Sequence, residues 1–276
     1  MTDLGIFAKT FSGTLNEVLK NAADEGFKTI QFNFSIAGLP SIPDAVDLTT
    51  KNKIRLALLE TPLNIEAVSG TFNMIHPDMN ERKEGLRRLR VIAGQCEWLD
   101  TKLITLCTGT RNETDKWTAH PANNTKEAWF DLRETLDSAL AIAEEYDLYL
   151  GVEPETANVV NTIDKAVKLL KEVNSPHLKI VFDPANIFET EPPGEIRKRI
   201  EYGLDMLGEH IISAHAKDRD IYGNVVAAGK GVMPYDVFFK GLGKINYRGN
   251  LILHGLEATE VSECVKFLRR QLELTG

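Results

Sequence analysis

Short, mostly apolar runs alternate along this chain with longer stretches whose apolar residues recur at three- and four-residue intervals. The first pattern is that of strands covered on both faces, the second that of amphipathic helices, and their alternation predicts βα units feeding a parallel sheet. Eight strand runs are predicted: LGIFAKTF (4–11), TIQFNF (29–34), NIEAVSGTF (64–72), KLITLCTG (102–109), LYLGVEPE (148–155), LKIVFDPAN (178–186), IISAHAKD (211–218) and NLILHGLE (250–257). Stretches such as TLNEVLKNAADEG, RKEGLRRLRVIAGQCEWLD, TKEAWFDLRETLDSALAIAEEYD, TIDKAVKLLKEV and EVSECVKFLRRQLE supply the helices. Asn124-Thr125 and Asn161-Thr162 read as helix caps, and Gly26 as the residue that closes the first helix. Eight repeats imply closure into an α/β (β/α)8 TIM barrel spanning residues 1–276 as a single domain, with an open doubly wound sheet as the alternative. No GxGxxG or GxxxxGK[ST] follows a strand, so the usual nucleotide-cradling loops are absent.

Composition narrows the partners. With 276 residues and 43% hydrophobic content the chain can bury a large core, and its formal charge of -8 disfavours a nucleic-acid partner, which calls for a basic face. Three cysteines, Cys96, Cys107 and Cys264, are odd in number and far apart, as expected of free thiols in the cytoplasm. The N-terminal MTDLGIFAKTF lacks a basic start followed by a long apolar stretch, and nowhere do 18 apolar residues run together, so neither export nor a membrane is expected. The outer helix ring of a barrel offers surfaces for a homodimer.

Four strand runs in the second half end in residues able to bind a metal: Glu153, Asp183, His215, and His254 or Glu257. Side chains at the same end of successive parallel strands converge, so these mixed oxygen and nitrogen donors can meet around one hard to borderline divalent ion, Mn²⁺, Mg²⁺, Co²⁺ or Zn²⁺. Singly, each has a plainer reading: a solvated strand-end carboxylate, a turn cap before Pro184, a core histidine. Their joint occurrence on consecutive strands raises the metal reading above these.

Two long loops follow strands on the face where barrel enzymes build their sites. The loop of residues 108–125 carries Arg111, Trp117 and His120; DRDIYGNVVAAGKGVMP carries Lys230 between two glycines. Trp117, His120, Arg111, Lys217, Asp218 and Lys230 are candidates for the substrate shell. Lys217 and Lys230 suit an anionic group, Asn186 a hydroxyl, and Glu155 shares a strand face with Glu153. Asp218 is a candidate to orient His215 or Lys217, and His76 is a further site candidate.

The segments GVEPE, VFDPANIF, AHAKD and GKG resemble the sugar phosphate isomerase/epimerase family of xylose-isomerase-like TIM barrels, over most of the chain. The resemblance implies one divalent metal held by Glu, Asp, His and a second Glu from strands five to eight, the first three falling on Glu153, Asp183 and His215. Where the family has its strand-eight Glu, counted from Gly249, this chain has His254, which can ligate a metal or act as a base. The implied reaction is isomerisation or epimerisation of a small carbohydrate through an enediolate, with Glu153 and His254 on opposite sides of the sugar as proton carriers. A dehydratase of the same chemistry, and a non-catalytic sugar-binding or regulatory barrel in which His254 has ended turnover, are the competing expectations.

Overall fold

In the computed structural model, which describes residues 3–275, all eight predicted runs contribute strands to one parallel barrel. They are β1 (Leu4–Phe7), β2 (Thr29–Phe32), β3 (Asn64–Ser69), β4 (Leu103–Cys107), β5 (Tyr149–Glu153), β6 (Leu178–Phe182), β7 (Ile211–Ala216) and β10 (Leu251–Leu253). Between β7 and β10 a short antiparallel ribbon, β8 (Asp218–Arg219) with β9 (Val225–Val226), stands apart from the barrel. β1 pairs with β2 on one side and β10 on the other, with Leu4 opposite Leu251 and Ile6 opposite Leu253, so the sheet has no edge and the open alternative is excluded.

Among the described residues eight α-helices surround the strands, beginning with α1 (Leu15–Asp24) and ending with α8 (Val261–Thr275). Thr14 caps α1 reciprocally with Glu17, and Gly26 follows its end at φ 85°, where a Cβ would be strained. Thr125 caps α4 (Lys126–Glu145) and Thr162 caps α5 (Ile163–Val173) through their hydroxyls. The helix least visible as a periodic stripe is α2 (Leu48–Leu59), which leaves Leu48, Leu56 and Leu59 exposed and buries little beyond Ile54 and Ala57.

The strands stop earlier than the apolar runs suggested, because at the C-terminal rim the chain must leave the ladder for the helix ring. After β1 it enters a 3₁₀ turn at Ala8–Thr10, and after β6 another at Pro184–Asn186, where proline has no N–H to give to a neighbouring strand. Fully buried aromatics, among them Phe32, Phe182, Phe188 and Phe238, knit the assembly, each worth about 1.5–3 kcal/mol of burial. All three cysteines are buried and free. Among the described residues no helix is long and apolar enough to cross a membrane.

Candidate functional site

The early strand ends bring four chemistry-bearing side chains together, two of which, Glu153 and His254, line one cavity. Glu153 is the last residue of β5, Asp183 the first beyond β6, His215 the next to last of β7, and His254 the first beyond β10. The cavity, of about 560 Å³, opens at this end of the barrel and is lined by Glu153, Glu155, Asn186, Lys217 and His254 from the second half. Phe7, Lys9, Gln31, Asn33, Thr105 and Trp117 line it from the first half. Its size suits a small-molecule ligand, for which pockets of about 300–1,000 Å³ are usual.

Carboxylate oxygens of Glu153 and Asp183 and a ring nitrogen of His215 lie within 4.8 Å of one another. His215 Nδ1 is 3.5 Å from Glu153 Oε1 and 3.9 Å from Asp183 Oδ2. The other ring nitrogen is spoken for. Gln31 donates its amide to Ser69 Oγ (3.1 Å) and Thr105 Oγ1 (3.3 Å), which turns Gln31 Oε1 toward His215 Nε2 at 3.1 Å. An amide oxygen only accepts, so Nε2 carries a proton, which leaves Nδ1 as the ring nitrogen that faces the two carboxylates. This second-sphere arrangement, a polar partner fixing tautomer and ring plane, is what a metal-binding histidine requires.

Six buried side-chain polar atoms have no hydrogen-bond partner among the described residues, and three of them, Asp183 Oδ2, His215 Nδ1 and His254 Nδ1, are in this cluster. Orphaned buried donors and acceptors are rare, so their convergence marks a place built for something that coordinates them. Two carboxylates and a tautomer-fixed imidazole, without thiolate, fit a hard to borderline divalent cation.

A second chain of contacts braces the same groups. Asn186 donates to Glu153 Oε1 (2.6 Å) and accepts from Lys217 Nζ (2.5 Å), and Lys217 Nζ lies 3.0 Å from Asp183 Oδ2, off the hydrogen-bond direction. Gly255, at φ 67°, brings the turn after β10 so close to Lys217 that a Cβ there would lie 2.8 Å from its Cδ. That left-handed turn also carries Glu257 away to cap the 3₁₀ turn Ala258–Glu260 on the surface, so His254 and not Glu257 faces the cavity.

The charges are strongly coupled. Burial would raise Glu153, but His215 and Lys217 outweigh it and hold the carboxyl below its ordinary range. Burial would lower His215, and Glu153 and Asp183 outweigh it in the other direction. For His254, burial together with Lys217 and His215 brings the pKa down to about 3, so it is neutral at physiological pH. Burial and the neighbouring Glu153 carboxylate push Glu155 up to about 7.

Among the predicted site residues, the structure brings together Glu153, Asp183, His215, His254, Glu155, Asn186, Lys217 and, at the rim, Trp117, 53% exposed. His254 is beside the ligand cluster, with its ring centroid 5.2 Å from that of His215, but it is not one of the donors gathered within 4.8 Å. Other candidates are engaged elsewhere in the structure. Lys230 pairs with Glu260 (2.9 Å) at the foot of α8, because the loop that carries it folds outward over the β8–β9 ribbon. His120 caps the 3₁₀ turn Pro121–Asn124 through Nδ1 and is exposed. Arg111 is bound to Asp131 (2.6 Å), and His76 ties its loop to the Glu113 carbonyl (3.2 Å). Asp218 reaches neither His215 nor Lys217: its carboxylate accepts the backbone N–H groups of Arg219, Gly229, Gly231 and Met233 and so organises the whole loop. Gln31, Lys9 and Lys116 were not singled out from the sequence. Only Gln31 left a trace there, as a polar residue inside an apolar strand run.

Residues 19–271 match the protein family described as xylose isomerase-like TIM barrel. A D-psicose 3-epimerase from Enterocloster bolteae is 30% identical over 116 residues, 40% of this chain and 35% of that protein, so the likeness spans about a third of the relative's length. The apo structure of 3-keto-D-glucoside 4-epimerase YcjR from E. coli shares the fold with a TM-score of 0.77 at 16% identity, covering 98% of this chain and 100% of that one. The IOLI protein with a bound zinc atom does so with a TM-score of 0.75 at 16% identity, covering 100% and 99%.

Proposed function

The chain belongs to the xylose isomerase-like TIM-barrel family, and on that premise we propose that it is a divalent-metal-dependent isomerase or epimerase of a small carbohydrate. The observation that carries the proposal is the convergence of Glu153, Asp183 and Nδ1 of His215, two of whose facing atoms, Asp183 Oδ2 and His215 Nδ1, make no hydrogen bond. These three residues would hold the ion; the zinc of the IOLI protein and the epimerase activity named for the relatives point the same way. When bound, the ion supplies the positive charge that favours an enediolate over the carbonyl form.

The chain's own residues do the rest. Lys217 and Asn186 position sugar hydroxyls from below, while Trp117 walls the open side. Glu153, held ionised, and His254, held neutral with an unpartnered Nδ1, are both free of the proton at neutral pH. One takes the proton from the carbon next to the carbonyl and, now protonated, returns it to the adjacent carbon for isomerisation. Return to the opposite face, for epimerisation, comes from the other group after it has taken a proton from water; such general acid–base groups supply about 10²–10⁴-fold in rate.

The deciding experiment incubates Mn²⁺-loaded protein with a ketose panel in deuterated water. Deuterium entering the carbon beside the carbonyl, with the sugar recovered as isomer or epimer, supports the reading; loss of water to a deoxy-keto product replaces it with a dehydratase; no exchange on any member, with sugar bound, replaces it with a binding barrel. Gln31 offers a sharper check on the ligand set. Gln31→Leu removes the partner that fixes the His215 tautomer and is expected to weaken Mn²⁺ binding about 10–100-fold in a competition titration.

A further inference from the structure

Lysines are seldom buried unless an anion accompanies them, and among the described residues Lys217, 5% exposed, is the one lysine that is. Its backbone and its stem are both fixed. Tyr235 donates its hydroxyl to the Lys217 carbonyl (3.0 Å), and the left-handed turn at Gly255 comes so close that a Cβ there would lie 2.8 Å from Lys217 Cδ and 3.0 Å from Cγ. From the first position beyond β7 the stem therefore runs against the turn after β10 and brings its ammonium to the wall of the cavity.

The ammonium has two neighbours of different kinds. Asn186 Oδ1 accepts a hydrogen bond from it (2.5 Å), while Asp183 Oδ2 lies 3.0 Å away without such a bond. The Asn186 amide also donates to Glu153 Oε1 (2.6 Å), so one asparagine fixes the lysine relative to both carboxylates. Asp183 Oδ2 is also the oxygen that faces His215 Nδ1, at 3.9 Å, within the group of gathered donors. Glu153 and Asp183 place two formal negative charges together in a buried setting, and the ammonium brings one positive charge to them. Toward a divalent ion the same ammonium is a like charge, at a range where Coulomb repulsion inside a protein is several times what it is in water.

We propose that Lys217 is a built-in counter-ion of the metal centre: its ammonium balances Glu153 and Asp183 when no divalent ion is bound and weakens ion binding otherwise, so that the ion stays exchangeable. This rests on the proposed reading of Glu153, Asp183 and His215 as a metal site and adds to it a control on ion affinity. A lysine that served sugar hydroxyls alone would leave ion affinity unaltered in the absence of sugar, which separates the two roles.

Competition titrations with Mn²⁺ and no sugar, on wild type, Lys217→Met and Lys217→Gln stripped of metal with EDTA, test it without requiring turnover. Both variants are expected to bind Mn²⁺ about 10–100-fold tighter, since each removes one positive charge close to the donors. In EDTA they are expected to melt earlier than wild type, with two buried carboxylates left uncompensated, and saturating Mn²⁺ is expected to raise their Tm by more than it raises that of wild type. Lys9→Gln, which removes an exposed charge from the same cavity lining, is expected to change the affinity less than about twofold. Wild-type or weaker affinity in a folded Lys217 variant overturns the inference, and so does an equal gain in Lys9→Gln, which would make the effect a general field. Binding by wild type with no gain in the variants leaves the metal reading standing, whereas no Mn²⁺ binding by any of these proteins sinks the metal reading and this inference with it.

Discussion

Replacing Asp183 with alanine is expected to strip the protein of its divalent ion, lowering affinity about 100-fold or more and taking turnover with it. Asp183 is fully buried, one oxygen is committed to the Ala185 N–H at 2.9 Å, and the other, which makes no hydrogen bond, faces His215 and the Lys217 ammonium. Its loss removes one of only three gathered donors, and in addition leaves the Lys217 ammonium buried without its closest anion. Breaking a buried pair from one side costs about 3–5 kcal/mol, so Asp183→Ala is also expected to melt earlier. Asp183→Asn separates the two effects, since it keeps the shape and the cap on Ala185 while removing the charge. Elemental analysis should find about one ion per chain in the wild type and almost none in either variant. An Asp183→Asn protein that keeps its ion would mean that the cluster is an internal salt-bridge network and not a metal centre.

The second large effect concerns the proton. Glu153→Gln and His254→Gln are each expected to lower kcat by about 10²–10⁴-fold, but with different signatures. Glu153 is both a donor to the cluster and a proton carrier in the proposed reaction, so its variant should lose affinity for Mn²⁺ and rate together. His254 is outside the gathered donors, so its variant should keep the ion and lose rate alone. Loss of the ion from His254→Gln would make His254 the fourth ligand; an undiminished kcat with the ion retained would remove it from the chemistry altogether.

The architecture and most of the cluster are legible in the linear pattern of residues. Eight apolar runs of strand length separated by helical periodicity admit little besides a closed parallel barrel, because strands buried on both faces must read as nearly continuous apolar segments. Once the strands are placed, their C-terminal ends are roughly known, and Glu153, Asp183, His215 and a choice between His254 and Glu257 follow from that. What the tertiary structure alone decided are the facts that depend on how loops and distant strands meet. Whether His254 or Glu257 faces inward turned on the left-handed Gly255. Lys230 and His120 look like ligand-binding residues in the linear chain, yet their loops fold outward and spend those side chains on Glu260 and a helix-start turn. Asp218 is next to Lys217 in sequence and serves a backbone loop instead of the site. Gln31, 184 positions from the histidine to which it hydrogen-bonds, could be found only in three dimensions. Strand periodicity is local and survives in one dimension, whereas hydrogen-bond partners and charge neighbours are set by chain closure across the barrel, which brings residues from β1 to β10 into one cavity irrespective of their spacing in the chain.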